Sequence, residues 1–469
     1  MFNVDKILVY CLVFFMIVQM AAAQQQSYGA IHSGVPWLDQ HGNTVSAHGA
    51  CIIKDNGRYY LFGEFKTDSV NIFNGFACYS STDLYNWKFE RMALPVQQKG
   101  ALGKNRVGER PKVMKCPASG EYVMFMHVDS LNYKDQYVGY ATAKHITGPY
   151  TFRGPVLFKG KPIRRWDMGT FQDDDGTGYL LVHHGDIYRL ASDYRTVDEQ
   201  VASQVAGVGE SPAMLKKDGI YYLLSSNLTS WERNDNQYHT SRNIAGPWME
   251  QGLFAPKGTL TWNSQCSFVL PIMGTQDTTY MYMGDRWSFP KQNAAATYVW
   301  QPLNIEGERL SVPVYQESWI IDLSTGQHKP LQTQGQDIAL KGLDAKINFQ
   351  GEWQPNSKET YRSDNKGDRF YYIFTGTSVR LYGQAGPDCG YAQVTVLDKK
   401  GHTIVKSIVD MYCLYRTSTL KFVSPALPKD TYKLVLTVLG ERGNWSDKRK
   451  IKYGSTGYGV VLESIAIKQ

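Results

Sequence analysis

The chain has 469 residues, of which 20% are charged, and carries a formal net charge of +7. That length is too great for one ordinary domain, and the small, dispersed basic excess contains no block of the kind that marks a nucleic-acid groove. The 13% aromatic content, with 31 Tyr and 11 Trp, suits β-sheets and surfaces that stack on sugar rings.

Residues 1–23 read as a secretory signal peptide. Lys6 supplies the positive start, Ile7 to Met20 the apolar run, and Ala21-Ala22-Ala23 the small-residue cleavage site. The run is short for a membrane span. The expected product is secreted or periplasmic, without membrane association after cleavage.

A tyrosine-rich strand phrase then recurs, each time after a glycine or charged turn. It reads Asn56-Gly57-Arg58-Tyr59-Tyr60-Leu61-Phe62-Gly63-Glu64 and returns at Gly120 to His127, Gly176 to His183 and Asp218 to Ser225. A looser copy runs from Asp277 to Gly284. Copies at roughly 45–60-residue intervals predict a five-bladed β-propeller over residues 28–324, each blade a small antiparallel sheet. A second phrase, fullest at Tyr79-Ser80-Ser81-Thr82-Asp83-Leu84-Tyr85-Asn86-Trp87, links strands through turn residues to an aromatic side chain. Helical periodicity is nearly absent.

Residues 325–341 are polar and irregular and read as a linker. Residues 342–469 alternate again, as in Tyr391 to Asp398 and Tyr432 to Leu439, and predict a jelly-roll-like β-sandwich. Carbohydrate binding and simple bracing of the propeller are both open for it. Six cysteines remain after cleavage, none in a C-x-x-C pair, so no zinc or redox motif is expected. Cys389 and Cys413 share the second domain, but spacing alone does not show that they meet.

A propeller lines its mouth with residues at the start of its innermost strands. Glu109, Asp167, Glu210 and Gln265 hold that position in successive blades, and Glu64 ends the first tyrosine strand. Carboxylates converging on a partly desolvated mouth push one another's pKa values apart. One stays protonated as an acid while another stays ionised, the division of labour that glycoside hydrolysis needs.

The phrases Ser46-Ala47-His48-Gly49, Glu109-Arg110-Pro111-Lys112, Asp167-Met168, Glu210-Ser211-Pro212-Ala213, Ser264-Gln265 and Asp285-Arg286-Trp287 resemble glycoside hydrolase family 43, in particular its exo-β-1,3-galactanase branch. The resemblance spans the propeller in order and says little of the last part of the chain. It implies an inverting exo-glycosidase of plant-type glycans, with Glu210 as general acid and Asp167 as the neighbour that raises its pKa. Glu64, Glu109, His48, Trp231 and Arg286 are implied to contact sugar. Most members of the family carry an aspartate base on the first blade; here Ala47-His48-Gly49-Ala50 stands instead. Gln265 (holding the water, or acting through its imidic tautomer), Glu109 and His48 remain alternative ways to activate the water.

The expected partner is an oligo- or polysaccharide met by a monomer, with no nucleic acid. No cofactor and no metal are expected, a structural cation on the propeller axis being the open alternative. β-1,3-linked galactose is the expected substrate, α-L-arabinofuranoside the runner-up, and a non-catalytic carbohydrate-binding propeller the reading from another class. Asp173-Asp174-Asp175-Gly176 reads as a hairpin turn rather than a calcium loop, and His183-His184 lacks a metalloprotease partner.

Overall fold

In the computed structural model, described for residues 27–207, 209–332, 336–339, 347–357 and 360–469, the tyrosine phrases form the second strands of five consecutive antiparallel sheets. The signal-peptide reading lies outside the described residues. The first sheet runs His48–Asp55, Arg58–Glu64, Phe76–Ser81 and Lys88–Leu94. The second runs Arg106–Lys115, Tyr122–Ser130, Tyr137–Ala143 and Thr151–Pro155. The third is built on Met168–Gln172, Gly178–Val182, Asp186–Leu190 and Thr196–Ala202, the fourth on Glu210–Lys217, Ile220–Ser226, Gln237–Ser241 and Met249–Leu253. Gln265–Met273, Thr278–Arg286 and Thr297–Pro302 make the fifth.

The turns follow from residue type. Asn56-Gly57 and Asp218-Gly219 all have positive φ, as a two-residue type I′ hairpin requires. The expected hairpin at Asp173 to Gly176 is present, closed by Gly176 N–H donating to the Asp173 carbonyl at 2.9 Å.

Five hydrophobic cores tie the sheets into a sequence. Met124 and Met126 face the first sheet, whereas Val123 and Phe125 face the third. Leu180 and Val182 pack toward the second sheet, Tyr179 and Leu181 toward the fourth. Tyr222 and Leu224 meet Val269 and Tyr282 of the fifth, and Leu270 and Met281 of the fifth meet Ile52 and Leu61 of the first. Both faces of these strands are therefore buried, so they read as continuous apolar runs rather than alternating ones.

The C-terminal region differs. Arg369–Gly376 and Asp430–Val438 alternate buried and exposed residues. They belong to a sheet ordered Ile347–Gln350, Arg369–Gly376, Asp430–Val438, Tyr391–Leu397, Thr403–Asp410. It shares one core with a second sheet containing Tyr361–Ser363, Val460–Lys468, Ser378–Ala385 and Thr417–Val423. The segment 325–341, expected as a linker, carries strands at both ends. His328–Pro330 pairs with Ser318–Ile321, and Gln336–Ala339 pairs with the last strand through Ala339 opposite Ser464. Its polar composition hid main-chain pairing that needs no apolar side chain. All six cysteines of the described residues, Cys389 and Cys413 included, are buried free thiols.

Candidate active site

The first strands of four sheets carry a bulge at the same place. The register shifts between His48 and Cys51, Glu109 and Lys112, Glu210 and Ala213, and Cys266 and Phe268. Gly49, Arg110 and Ser211 in three of these bulges have φ of 60°, 52° and 56°. Asp167, just before the first strand of the third sheet, has φ of 32°. A bulge re-aims the side chain beside it. Left-handed backbone at a residue other than glycine costs about 1–3 kcal/mol and persists where the surroundings over-determine it. Here it gathers Glu109, Asp167, Glu210 and Gln265 around Arg110.

Arg110 is the hub. Its Nε pairs with Asp167 Oδ2 at 2.9 Å, and its Nη2 donates to Gln265 Oε1 at 2.8 Å. Ser211 donates to the same Asp167 oxygen through its main-chain N–H and its hydroxyl, at 3.1 and 2.9 Å. Gln265 Oε1 also accepts from Trp287 Nε1 at 2.7 Å, while its Nε2 donates to Ser226 Oγ at 3.0 Å. Arginine and the indole are donors only, so they fix which end of the amide is oxygen.

Glu210 is different. Its Oε2 is shielded from solvent and meets no N–H or O–H donor among the described residues; the side chain it bonds is Asp167, another carboxyl, and that bond needs a proton on one of the two. An oxygen without a donor is costly as a carboxylate and far less so as a carboxylic acid. Burial pushes this carboxyl well above the ordinary range, and the charge of Asp167 adds to the shift against the opposing pull of Arg110.

Glu109 shows the reverse. Its Oε1 accepts from Asn71 Nδ2 and from the Tyr133 hydroxyl, both at 2.8 Å, and its Oε2 meets His127 Nδ1 at 3.0 Å. Burial opposes ionisation of Glu109, but the hydrogen bond and charge of His127, with Lys66 and Asn71, outweigh it and hold the carboxyl well below its usual range. His127 Nε2 lies 3.3 Å from Asp129. Burial pushes His127 down, yet its bonds to Asp129 and Glu109 win and raise it to about 9. Ligand atoms of Glu109, His127 and Asp167 lie within 4.8 Å of one another, a spacing a metal ion would accept. His127 already spends its two ring nitrogens on Glu109 and Asp129, and Asp167 is held by Arg110 and Ser211.

The network continues into the first sheet. Glu64 accepts from Arg110 N–H at 3.0 Å and pairs with Lys66, whose Nζ donates to Asn71 Oδ1 at 3.0 Å. Burial raises Glu64, against the pull of Lys66. Lys66 lies over the rings of Trp231 and Trp287 at 4.7 and 5.2 Å. Beneath the mouth Lys112 donates to the Gly49 carbonyl at 2.6 Å, its ammonium lowered to about 8 by burial.

These residues form a cluster of carboxylates, one with its pKa pushed well above the ordinary range, beside tryptophan faces. Comparison with known proteins names the family. Residues 43–255 match the glycosyl hydrolases family 43 model. A Bifidobacterium bifidum protein assigned as an exo-β-1,3-galactanase is 38% identical over 60% of this chain and 95% of its own, with a TM-score of 0.56. The chain belongs to glycoside hydrolase family 43. The exo-β-1,3-galactanase of Phanerochaete chrysosporium, solved with β-1,3-galactotriose, is 29% identical and has a TM-score of 0.70, over 94% of this chain and all of that one. A curated β-D-galactofuranosidase of Aspergillus niger is 29% identical over 40% of this chain, and the match spans 57% of that relative's length.

The family 43 enzyme brings five of the expected residues together: Glu64, Glu109, Asp167, Glu210 and Gln265. Trp231 joins them, half-buried against Trp287 at 5.0 Å between centroids and stacked on Phe289. Two expectations need correction. His48 does not face sugar: it is 0% exposed, stacks on Tyr298 and bonds Asp285 at 3.1 Å. Its Nε2 is buried without a partner among the described residues. Arg286 is committed to the carbonyls of Asn263, Trp262 and Gly34 and to the Tyr315 hydroxyl, so it braces the turn before Gln265.

Sequence reasoning missed Arg110, Lys66, Asn71, His127 and Tyr133. Arg110 and Lys66 lie next to or two residues beyond quoted carboxylates, and His127 ends a tyrosine strand opposite Glu109. Asn71 and Tyr133 sit in loops with no signal of their own. A cavity of about 690 Å³ lies elsewhere, between the N-terminal strand and the sandwich near Tyr28, His32, Lys329 and Arg380. None of the carboxylates above lines it.

Proposed function

We propose that this glycoside hydrolase is an inverting exo-enzyme that removes terminal β-1,3-linked galactose from a galactan or arabinogalactan. The observation that carries the reading is Glu210, whose raised pKa and buried oxygen, with no donor to stabilise its charge, suit a general acid beside Asp167. The acid protonates the departing glycosidic oxygen as positive charge builds at the anomeric carbon. A water attacks from the opposite face, where inverting sites leave roughly 6.5–9.5 Å between the two catalytic groups. Gln265, its oxygen held by Arg110 and Trp287 and one N–H spent on Ser226, presents its remaining amide N–H to position that water. As the oxygen of that water bonds the anomeric carbon, its proton passes to Glu109, a carboxylate held well below its usual pKa range and so a weak base, and from there to solvent. Glu64 and Trp231 complete the sugar's contacts.

In this reading the five sheets are propeller blades. Their shared cores and common bulge position support it. Residues 28–324 then form the catalytic domain and 342–469 the sandwich of a secreted or periplasmic monomer, and the chemistry needs no cofactor. The galactotriose complex of the fungal relative favours galactan. The furanosidase relative keeps a furanoside, arabinose included, as the second reading.

The test is incubation with β-1,3-galactan, 4-nitrophenyl β-galactoside and 4-nitrophenyl α-L-arabinofuranoside, following the first-formed anomer by proton NMR. Release of α-galactose from galactan is expected. Arabinose alone would move the enzyme to the second reading, and β-galactose would exclude inversion.

A further inference from the structure

The sandwich does more than sit beside the five sheets. Its hairpin Asn444–Ser446/Lys452–Gly454 touches loops of the sheets on two sides of the site. On one side Trp445 Nε1 donates to Ser230 Oγ at 3.2 Å, and its ring meets Phe289 edge-on at 6.3 Å. Ser230 and Trp231 lie in the loop after Ile220–Ser226, the strand hydrogen-bonded to Glu210. On the other side Lys448 Nζ lies 4.1 Å over the ring of Tyr133, whose hydroxyl donates to Glu109. The hairpin thus touches the fourth and fifth sheets at one end and the second sheet at the other.

Its base is clamped. Tyr412 donates to Glu232 at 2.6 Å, Ser288 to Asp410 at 2.8 Å, and Lys291 pairs with Glu441 at 2.8 Å. Gly443 lies so close to the Phe289 main chain that an added Cβ would stand 2.9 Å from its carbonyl oxygen. Only glycine lets the chain pass there. A hairpin fixed this firmly has a defined position beside the site.

We propose that this hairpin is part of the substrate site, with Trp445 and Lys448 contacting the sugar next to the one cleaved. The argument runs from the acid. Glu210 protonates the departing oxygen, so the departing chain leaves on the side where the Ser230–Trp231 loop and Trp445 stand. Trp445 extends the aromatic run Trp287, Trp231, Phe289 outward in that direction. Lys448 is exposed and basic, as are Arg449, Lys450 and Lys452, and offers ammonium donors to sugar hydroxyls. The inference rests on the mouth being the hydrolytic site and assigns the sandwich a share in choosing the substrate.

The experiment uses the full chain and its Lys448→Ala and Trp445→Ala variants. KM and kcat are measured on β-1,3-galactotriose, and inhibition by free galactose on the same substrate. One lost polar or stacking contact is worth about 5–10-fold. The KM for galactotriose should rise by about that factor in each variant, while galactose, which fills only the cleaved-sugar position, should inhibit within about twofold of wild type. An unchanged KM in both variants, or a parallel weakening of galactose, overturns the proposal. If wild type leaves galactotriose intact, the galactanase reading fails by itself. The same comparison is then made on the oligosaccharide that wild type does cleave, with its own terminal sugar as inhibitor. Should Trp445→Ala fail to fold, the exposed Lys448→Ala decides.

Discussion

At the bulge of the first sheet stands His48; at the same bulge of the fourth stands Glu210. His48 is fully buried, pairs with Asp285 through Nδ1 and stacks on Tyr298, its Nε2 left without a partner among the described residues. Glu210 keeps an oxygen that no donor meets. The difference lies in what the second strand offers. Opposite His48 is Glu64, which takes the polar position at the mouth itself. Opposite Glu210 is Ser226, whose hydroxyl accepts from Gln265 and leaves the carboxyl without a donor. A place in the repeat therefore sets where a side chain starts, and its neighbours across the hairpin set what it does.

The comparison breaks most visibly at Glu210. Glu210→Gln should cut kcat by about 10²–10⁴-fold, the usual worth of a general acid, while galactotriose still binds by calorimetry. Lost binding with retained turnover would reverse the assignment. Arg110→Met should come next, because it leaves Asp167 buried without its charge partner. A denaturant titration should show about 3–5 kcal/mol of lost stability.

His127 supplies a pH signature. Its folded pKa of about 9 exceeds its unfolded value, so its stabilisation is complete below about 6.5 and is lost as pH rises to about 9. Unfolding free energies from urea titrations should fall across that window by up to roughly 3 kcal/mol, and His127→Gln should flatten the fall. The smallest effect is expected at the first sheet. His48→Ala should cost about 1–3 kcal/mol of stability yet leave kcat/KM of the folded protein within a few-fold. A large loss of kcat in that variant would put His48 back among the acting residues.

Much of this was legible in the sequence for a physical reason. Strands buried on both faces, such as Tyr122–Ser130, leave continuous apolar runs, and those that alternate, such as Asp430–Val438, announce a half-buried sheet. Glu109, Glu210 and Gln265 share a repeat position, so their convergence could be read. The roles of His48 and Arg286 could not. Nothing in Ala47-His48-Gly49 says that Asp285, 237 residues on, waits beneath the ring. Arg286 looks like a ligand until its four acceptors are seen. Tyr133 and Asn71 reach Glu109 from loops, where no periodicity exists to mark them. The hairpin beside the site comes from the other end of the chain, and its position depends on Gly443 and the contacts around Ser288 rather than on any motif.

The most direct test of the account is the pH dependence of kcat/KM for wild type and Asp167→Asn on the same galacto-oligosaccharide. The raised pKa of Glu210 keeps the acid protonated, so activity falls on the alkaline side as that proton is lost. Removing the negative charge of Asp167 favours ionisation of Glu210, and the alkaline limb should move to lower pH by about one unit or more. An alkaline limb that stays where it is would show that Asp167 does not hold the proton on Glu210, and the assignment of the acid would fall with it.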